Sequence, residues 1–365
     1  MTTTQTGTLP NYAVPTGEFI TEWMEDNGLH AAELARRLDV SRKHVSELLR
    51  GRVALTPDVA LRLERVTGVP ARTWSNLEAL YQEDRARLAA EAELEAGYPA
   101  VAAFPVDYLR RWGFVTAPTG KPARPAVVAQ VLAFFGVGDV NALTVSWAES
   151  AIAYRKTAAS LPRREDLMTW LMVAEHLTNP ADLPPFDHEK LQGMLPSLRA
   201  LTRGNPQTYV QETADLLATA GVALCLVPEV PGLGVHGATR WLRDHPVIQL
   251  SVRGKTDDQL WFTLFHELGH VLLHPPAKLY VAGTAEKEEA EADRFAADTL
   301  IPPADAARLP PGRNLQAVRD FADQVGIAPG VVLGRIHRET GDYGWGHDLK
   351  RHFVFRLPGD PPDCS

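Results

Sequence analysis

Residues 256–274 read TDDQLWFTLFHELGHVLLH. At 3.6 residues per turn, Leu260, Trp261, Leu264, Phe265, Leu268, Val271, Leu272 and Leu273 wrap most of a helical wheel, which is the pattern of a buried helix. Thr256 followed by Gln259 has the form of a capping box, Asp257 and Asp258 suit the positive end of the helix, and Pro275-Pro276 stops it. Three polar groups interrupt the apolar surface. His266 and His270 are four apart, so their Cβ atoms project from one face about 5–6 Å apart and both imidazoles can reach one metal ion. Glu267 lies beside them. In this HExxH pattern two histidines bind zinc, and the glutamate takes a proton from the water that attacks a carbonyl. Chance coincidence is the alternative, but three uncompensated polar side chains on so apolar a helix are costly unless something binds them.

A catalytic zinc usually has three protein ligands and one open position. Residues 286–300, EKEEAEADRFAADTL, form the next predicted helix, with Glu289, Ala292, Asp293, Ala296 and Leu300 on one face. Glu289 then faces the metal, with Asp293 a turn behind to accept the free N–H of a liganding histidine. The small alanines allow the two helices to approach. Glu291 points about 200° away from Glu289 on the wheel, so only one of the two is a ligand; Glu289 is preferred, with Glu288 and Glu291 in solvent. His274 continues the stripe one turn on as a packed or supporting residue.

HELGHVLLH followed by EAEADRFAADTLIP resembles the ImmA/IrrE family of intracellular zinc metallopeptidases, and residues 228–270 resemble a branch of that family fused to a helix-turn-helix domain. The resemblance runs across most of the chain and implies cleavage of repressor or regulator proteins. The family often has asparagine at the position of Asp293; either side chain can accept the histidine N–H.

The 365 residues are enough for two or three domains, and 45% hydrophobic with 22% charged residues is ordinary globular composition. A formal charge of −8 excludes a global affinity for nucleic acid, so any DNA contact must come from a local patch. Cys225 and Cys364, far apart in sequence, do not make a disulfide framework and suggest a reducing cytoplasm. No export signal and no run of eighteen apolar residues is apparent, so neither export nor membrane insertion is expected.

Residues 1–12 read as a flexible tail and 13–75 as a helical bundle. Within the bundle, Ala31–Leu38 and Ser41–Arg50, joined by Asp39-Val40, have helix-turn-helix spacing, with Ala35, Val40, Val45 and Leu48 locking the pair. Ser41 would cap the second helix, exposing Arg42, Lys43, His44 and Ser46 where a recognition helix meets base edges. From Arg36 to Arg72 there are nine Lys/Arg and four Asp/Glu, a local charge of +5 that suits phosphate contact. This stretch resembles the HigA-type antitoxin domain of the XRE repressor class, which implies a double-stranded DNA operator as partner.

Residues 76–97 read as a charged helix, either a linker or a dimerisation helix that would make a homodimer. Residues 98–205 form a helical middle domain without a catalytic motif, where Phe135, Trp147, Tyr154 and Trp170 are core residues and His176 and His188 are not ligands. In the domain at 206–355, runs at Val222–Val227, Gly234–Leu242 and Pro246–Val252 make a small sheet ahead of the metal helix. Val235–Arg240 is the candidate edge for an extended substrate, with His236 and Arg240 touching it; equally, Arg240 only pairs with a nearby acid. His337 or Tyr343 could stabilise an oxyanion. Residues 356–365 are a tail.

The expected fold is therefore mainly α with a small β-sheet, an α+β chain with an N-terminal helix-turn-helix bundle and a zincin-like C-terminal domain. The expected function is a DNA-binding zinc endopeptidase: His266, His270 and Glu289 hold Zn²⁺, Glu267 is general base, Asp293 orients a ligand, and a repressor or regulator protein is substrate. The alternatives are a repressor or antitoxin whose zinc domain is structural or ligand-sensing, and a protein-binding scaffold without metal.

Overall fold

A computed structural model describes residues 11–145, 163–252, 256–276, 280–281 and 286–353. Trp147, Tyr154, most of the N-terminal tail and the tail at 356–365 with Cys364 lie outside the described residues. The chain divides into two compact units, residues 1–98 with 118–129, and residues 99–117 with 130–365.

In the first unit, α1 (Thr16–Asp26), α2 (Ala31–Leu38), α3 (Arg42–Leu49), α4 (Pro57–Thr67) and the start of α5 (Ala71–Val101) close around Ile20, Leu34, Leu38, Val45, Leu48, Leu63 and Trp74. The turn between α2 and α3 is tight because Asp39 takes the left-handed conformation (φ 55°), one that Asp tolerates better than most residues. Ala35, Val45 and Leu48 are buried at the junction, and Val40 packs against them. Residues 76–97 lie inside the single 31-residue helix α5.

The second unit begins with α6 (Val106–Arg111), and its later elements are α8 (Val140–Val145), α9 (Arg164–Leu177), α10 (His188–Leu201) and α11 (Tyr209–Ala218); α7 (Arg124–Phe135) runs from the first unit into it. These precede a sheet of β1 (Ala223–Leu226), β2 (Gly237–Leu242), β3 (His245–Leu250) and the two-residue β4 (Tyr280–Val281), in the order β1-β3-β2-β4. β1 runs parallel to β3, and β2 and β3 form an antiparallel hairpin whose turn residues Arg243 and Asp244 both have positive φ, as a twisted two-residue hairpin requires. On β3, Ile248 and Leu250 join the core beneath α12 (Asp257–Leu273), whereas Gln249 donates to the carbonyl of Trp170 on α9. Both faces are thus covered.

Two expectations change here. Residues 163–205 do not stand apart as a middle domain: Trp170 donates its indole N–H to Val227 O, and Leu191, Met194 and Leu198 of α10 enter the same core as α12. Nor is β2 a free edge, because Ala238 and Thr239 pair with Val281 and Tyr280 of β4, where the chain returns to the sheet after α12.

The start of α12 also differs from a capping box. Thr256 makes no side-chain cap; instead the Asp257 N–H donates to Arg351 O (2.9 Å), and Asp257 accepts from the Arg351 backbone N–H (3.0 Å) and Nε (2.9 Å). Helix α13 (Glu286–Leu300) crosses α12 where Gly269 lies against Ala292. A Cβ on Gly269 would stand 3.0 Å from Ala292 Cα, so glycine sets how near the helices come. The short α14 (Pro303–Ala306) leads to a helical pair, α15 (Leu315–Val325) and α16 (Pro329–Thr340), which share the core with α12. No helix among the described residues is long and apolar enough to cross a membrane.

Asp257 is fully buried, so its charge depends on Arg351. Arg351→Ala is expected to lower stability by about 3 kcal/mol in chemical denaturation, and Arg351→Ala with Asp257→Asn by less, because the double variant leaves no uncompensated buried carboxylate.

Candidate metal centre

His266 and His270 extend from one face of α12 with ring centroids 4.8 Å apart and their Nε2 atoms 3.1 Å apart. Glu289 enters from α13, with Oε2 3.4 Å from His266 Nε2 and Oε1 3.4 Å from His270 Nε2. These three residues are the group of possible metal ligands among the described residues, each offering an atom within 4.8 Å of the others.

The surroundings fit a cation at their meeting point. The His266 Nδ1–H donates to Asp293 Oδ1 (2.9 Å), so Nε2, which faces His270, is the nitrogen left to take a metal. Glu289 Oε1 is buried and makes no hydrogen bond of its own. Burial opposes the Glu289 charge, but the two imidazoles outweigh it and hold the carboxyl at about 2. Burial likewise disfavours a charged His266, yet hydrogen bonds to Asp293 and Glu289 raise it to about 10; burial keeps His270 below its ordinary value. The acids therefore favour positive charge at this point.

Glu267 stands beside the triad, 4% exposed, and accepts from Thr239 Oγ1 on β2 (2.7 Å). Burial pushes its carboxyl up to about 7, against the opposing pull of His266 and Thr239. The strand can lie this close only because residue 237 is glycine: a Cβ there would be 2.4 Å from Glu267 Oε1 and 2.8 Å from Thr263 Cγ2. A cleft of about 600 Å³ opens over the triad, lined also by His236, Phe262, Arg338 and Tyr343.

Residues 227–337 match the peptidase M78 family, described as IrrE N-terminal-like domain, and residues 20–74 match the helix-turn-helix family. The chain joins a helix-turn-helix domain to an IrrE-like peptidase domain. Virulence-associated protein I of Dichelobacter nodosus is 37% identical over 70 residues, 19% of this chain and 65% of that protein. An uncharacterised HTH-type transcriptional regulator of Escherichia coli K12, YddM, is 34% identical over 62 residues, 17% of this chain and 66% of that protein. The chain thus spans slightly less than two thirds of the length of these curated relatives. Among solved structures, the Pseudomonas aeruginosa antitoxin HigA with the higBA promoter is 30% identical, covering 21% of this chain and 86% of that one with a TM-score of 0.21. An addiction module antidote protein of a HigA family from Coxiella burnetii is 27% identical, covering 23% and 92% with a TM-score of 0.21.

In the IrrE-like domain, Asp293 sits where the wheel put it, and Arg338 of α16 donates to its other oxygen (2.6 Å) while its guanidinium lies over the Phe262 ring. Arg338 was not legible in the sequence, since 45 residues separate it from Asp293. The approach of Thr239 and Gly237 to Glu267 was likewise not legible there. Glu291, expected in solvent, is half-exposed and lies 3.2 Å from His274 Nε2, because His274, the residue that ends α12, lies beside α13. His236 lines the cleft. Arg240 does not: it is 6% exposed, donating to Glu175 Oε2 (3.2 Å) and Leu171 O (2.7 Å), so it takes the acid-pairing role. His176 and His188 contact the carbonyls of Phe134 and Leu272, away from the triad.

His337 is buried with its Nε2–H donating to Trp345 O (3.1 Å), and burial holds its pKa down. The neutral ring then presents only an acceptor at Nδ1, which cannot donate to an oxyanion. Tyr343 is exposed at the same cleft. In the helix-turn-helix domain, Ser41 caps α3 by accepting from the His44 N–H (3.0 Å), Arg42 and Lys43 are exposed, and Ser46 accepts from Arg50 Nη1 (2.9 Å).

Removing the acceptor behind His266 frees its ring to rotate and change tautomer. Asp293→Ala is expected to weaken divalent-ion binding about 10–100-fold in a chelator competition, and Asp293→Asn much less, because a carboxamide oxygen still accepts the Nδ1–H.

Proposed function

We propose that this protein is a DNA-binding, zinc-dependent endopeptidase that regulates transcription by cleaving a repressor or antitoxin-type protein. The observation that carries this is the convergence of His266, His270 and Glu289 beside a buried carboxyl at Glu267. Their donor separations of 3.1, 3.4 and 3.4 Å compare with an edge of roughly 3.3 Å for a tetrahedron with zinc–ligand bonds of about 2.0–2.1 Å. When held there, zinc supplies a Lewis acid that polarises a carbonyl and makes water acidic near neutral pH.

The protein's own groups then divide the work. Glu267, with its carboxyl at about 7, accepts the proton of the attacking water and returns it to the departing amine. Thr239 fixes one Glu267 oxygen, and Gly237 leaves the other uncrowded. Asp293 keeps the His266 proton on Nδ1. Tyr343, exposed at the cleft, is a donor available to a developing oxyanion. His236 lies along the cleft where an extended substrate would pass.

The helix-turn-helix domain would bring this chemistry to an operator. Arg42, Lys43, His44 and Ser46 lie on the N-terminal turns of α3, the part of a recognition helix that reads the major groove. Ser41 contributes by capping that helix.

Glu267→Gln is expected to retain zinc and the native unfolding temperature while a repressor-type protein that the parent removes persists, as a proteome comparison of cells carrying either form would detect. Persistence of the same proteins in both would refute proteolysis through Glu267. For the other domain, Arg42→Ala with Lys43→Ala is expected to weaken binding to the protein's own promoter DNA and to flatten the salt dependence by about 0.9 per lost phosphate contact. Unchanged affinity in a filter-binding titration would argue against groove contact by α3.

A further inference from the structure

His266 and His270 present their Nε2 atoms to the same point, and to bind one metal ion through them each must carry its proton on Nδ1. For His266 the reason is local, since Asp293 accepts that proton directly. His270 is held differently. It has His274, with the two Nδ1 atoms 3.0 Å apart, and on the far side His274 Nε2 lies 3.2 Å from Glu291 Oε2.

Two ring nitrogens at that separation share a single proton, and Glu291 decides which holds it. A carboxylate only accepts, so the His274 proton sits on Nε2 and donates to Glu291. The His274 Nδ1 lone pair then accepts from the His270 Nδ1–H, and the His270 Nε2 lone pair is left facing Glu289 and His266. The reverse arrangement would set a bare nitrogen against the Glu291 carboxylate and aim an N–H into the ligand cluster. Burial supports the same order: the His270 and His274 side chains are 1% and 4% exposed, so neither ring can exchange its partner for water.

The backbone explains why His274 can serve. It precedes Pro275, which disfavours helical ψ, and His274 accordingly leaves α12 extended (φ −111°, ψ 151°) with its ring 5.1 Å from that of His270. Glu291 reaches it from α13, and Lys287 approaches the other Glu291 oxygen at 3.6 Å.

We propose that His274 and Glu291 form a positioning relay that fixes the tautomer and ring orientation of His270 as a metal ligand. It rests on the zinc site proposed above. The consequence is that both histidines are oriented by acids of α13, one directly and one through an intervening imidazole.

The test uses the full chain and zinc itself, with affinity measured by competition with a chromophoric chelator and the unfolding temperature of each metal-free protein measured alongside. His274→Phe is expected to weaken zinc binding about 10–100-fold, and His274→Asn, which places a carbonyl oxygen near the former Nδ1, to recover most of it. Glu291→Ala, at a half-exposed position, should fall between them with its metal-free unfolding temperature unchanged, and it decides the matter should the Phe variant not fold. Wild-type affinity in both His274→Phe and Glu291→Ala would overturn the relay and leave the zinc site standing. Equal losses in the Phe and Asn variants, matched by equal falls in metal-free unfolding temperature, would reduce His274 to packing and overturn it as well. A wild-type protein that binds no zinc would remove the site and the relay together.

Discussion

Contact between α12 and α13 at Gly269 and Ala292 governs the rest of the site. Side chains on helices reach only a few ångströms, so ligands from two helices meet at one point only if the backbones come close. Glycine on one helix and alanines on the other, with Ala292 and Ala296 fully buried, supply that approach. His266 and His270 then face Glu289, and the acids at 291 and 293 fall behind the rings. A larger residue at 269 would part the helices and separate ligands from supports together.

The same packing concentrates charge where water is scarce. Buried carboxylates and imidazoles are tolerated only when each finds a partner. Glu267 has Thr239, Asp293 has His266 and Arg338, and Glu291 has His274. Of these four acids, Glu289 keeps a buried oxygen without a hydrogen bond, at the point where both imidazole Nε2 atoms also converge. The surplus of acceptors there is what makes a cation the natural complement.

Around this centre the sheet acts as a platform. Its two faces are covered by α9 and α12, and β2 passes close enough to α12 for Thr239 to hold Glu267. The C-terminal segment contributes at the opposite end, where Arg351 and Lys350 neutralise Asp257 and Asp258 at the start of α12. Residues more than ninety positions apart thereby set the end of the helix that carries the ligands.

What the sequence determined alone was whatever depends on neighbours a few residues away. The i, i+4 spacing placed both histidines on one face, the apolar wheel made α12 a buried helix, and the short turn at Asp39 with Ser41 beyond it defined the helix-turn-helix pair, because helical periodicity and capping are local. The tertiary structure decided what depends on where one element ends relative to another. It put Glu289 in the triad and Glu291 on His274, buried Arg240 against Glu175, paired β2 with β4, and brought Arg338 to Asp293. A helical wheel specifies direction about one axis but carries no information on the crossing point of a second, and that crossing assigned each acid its partner.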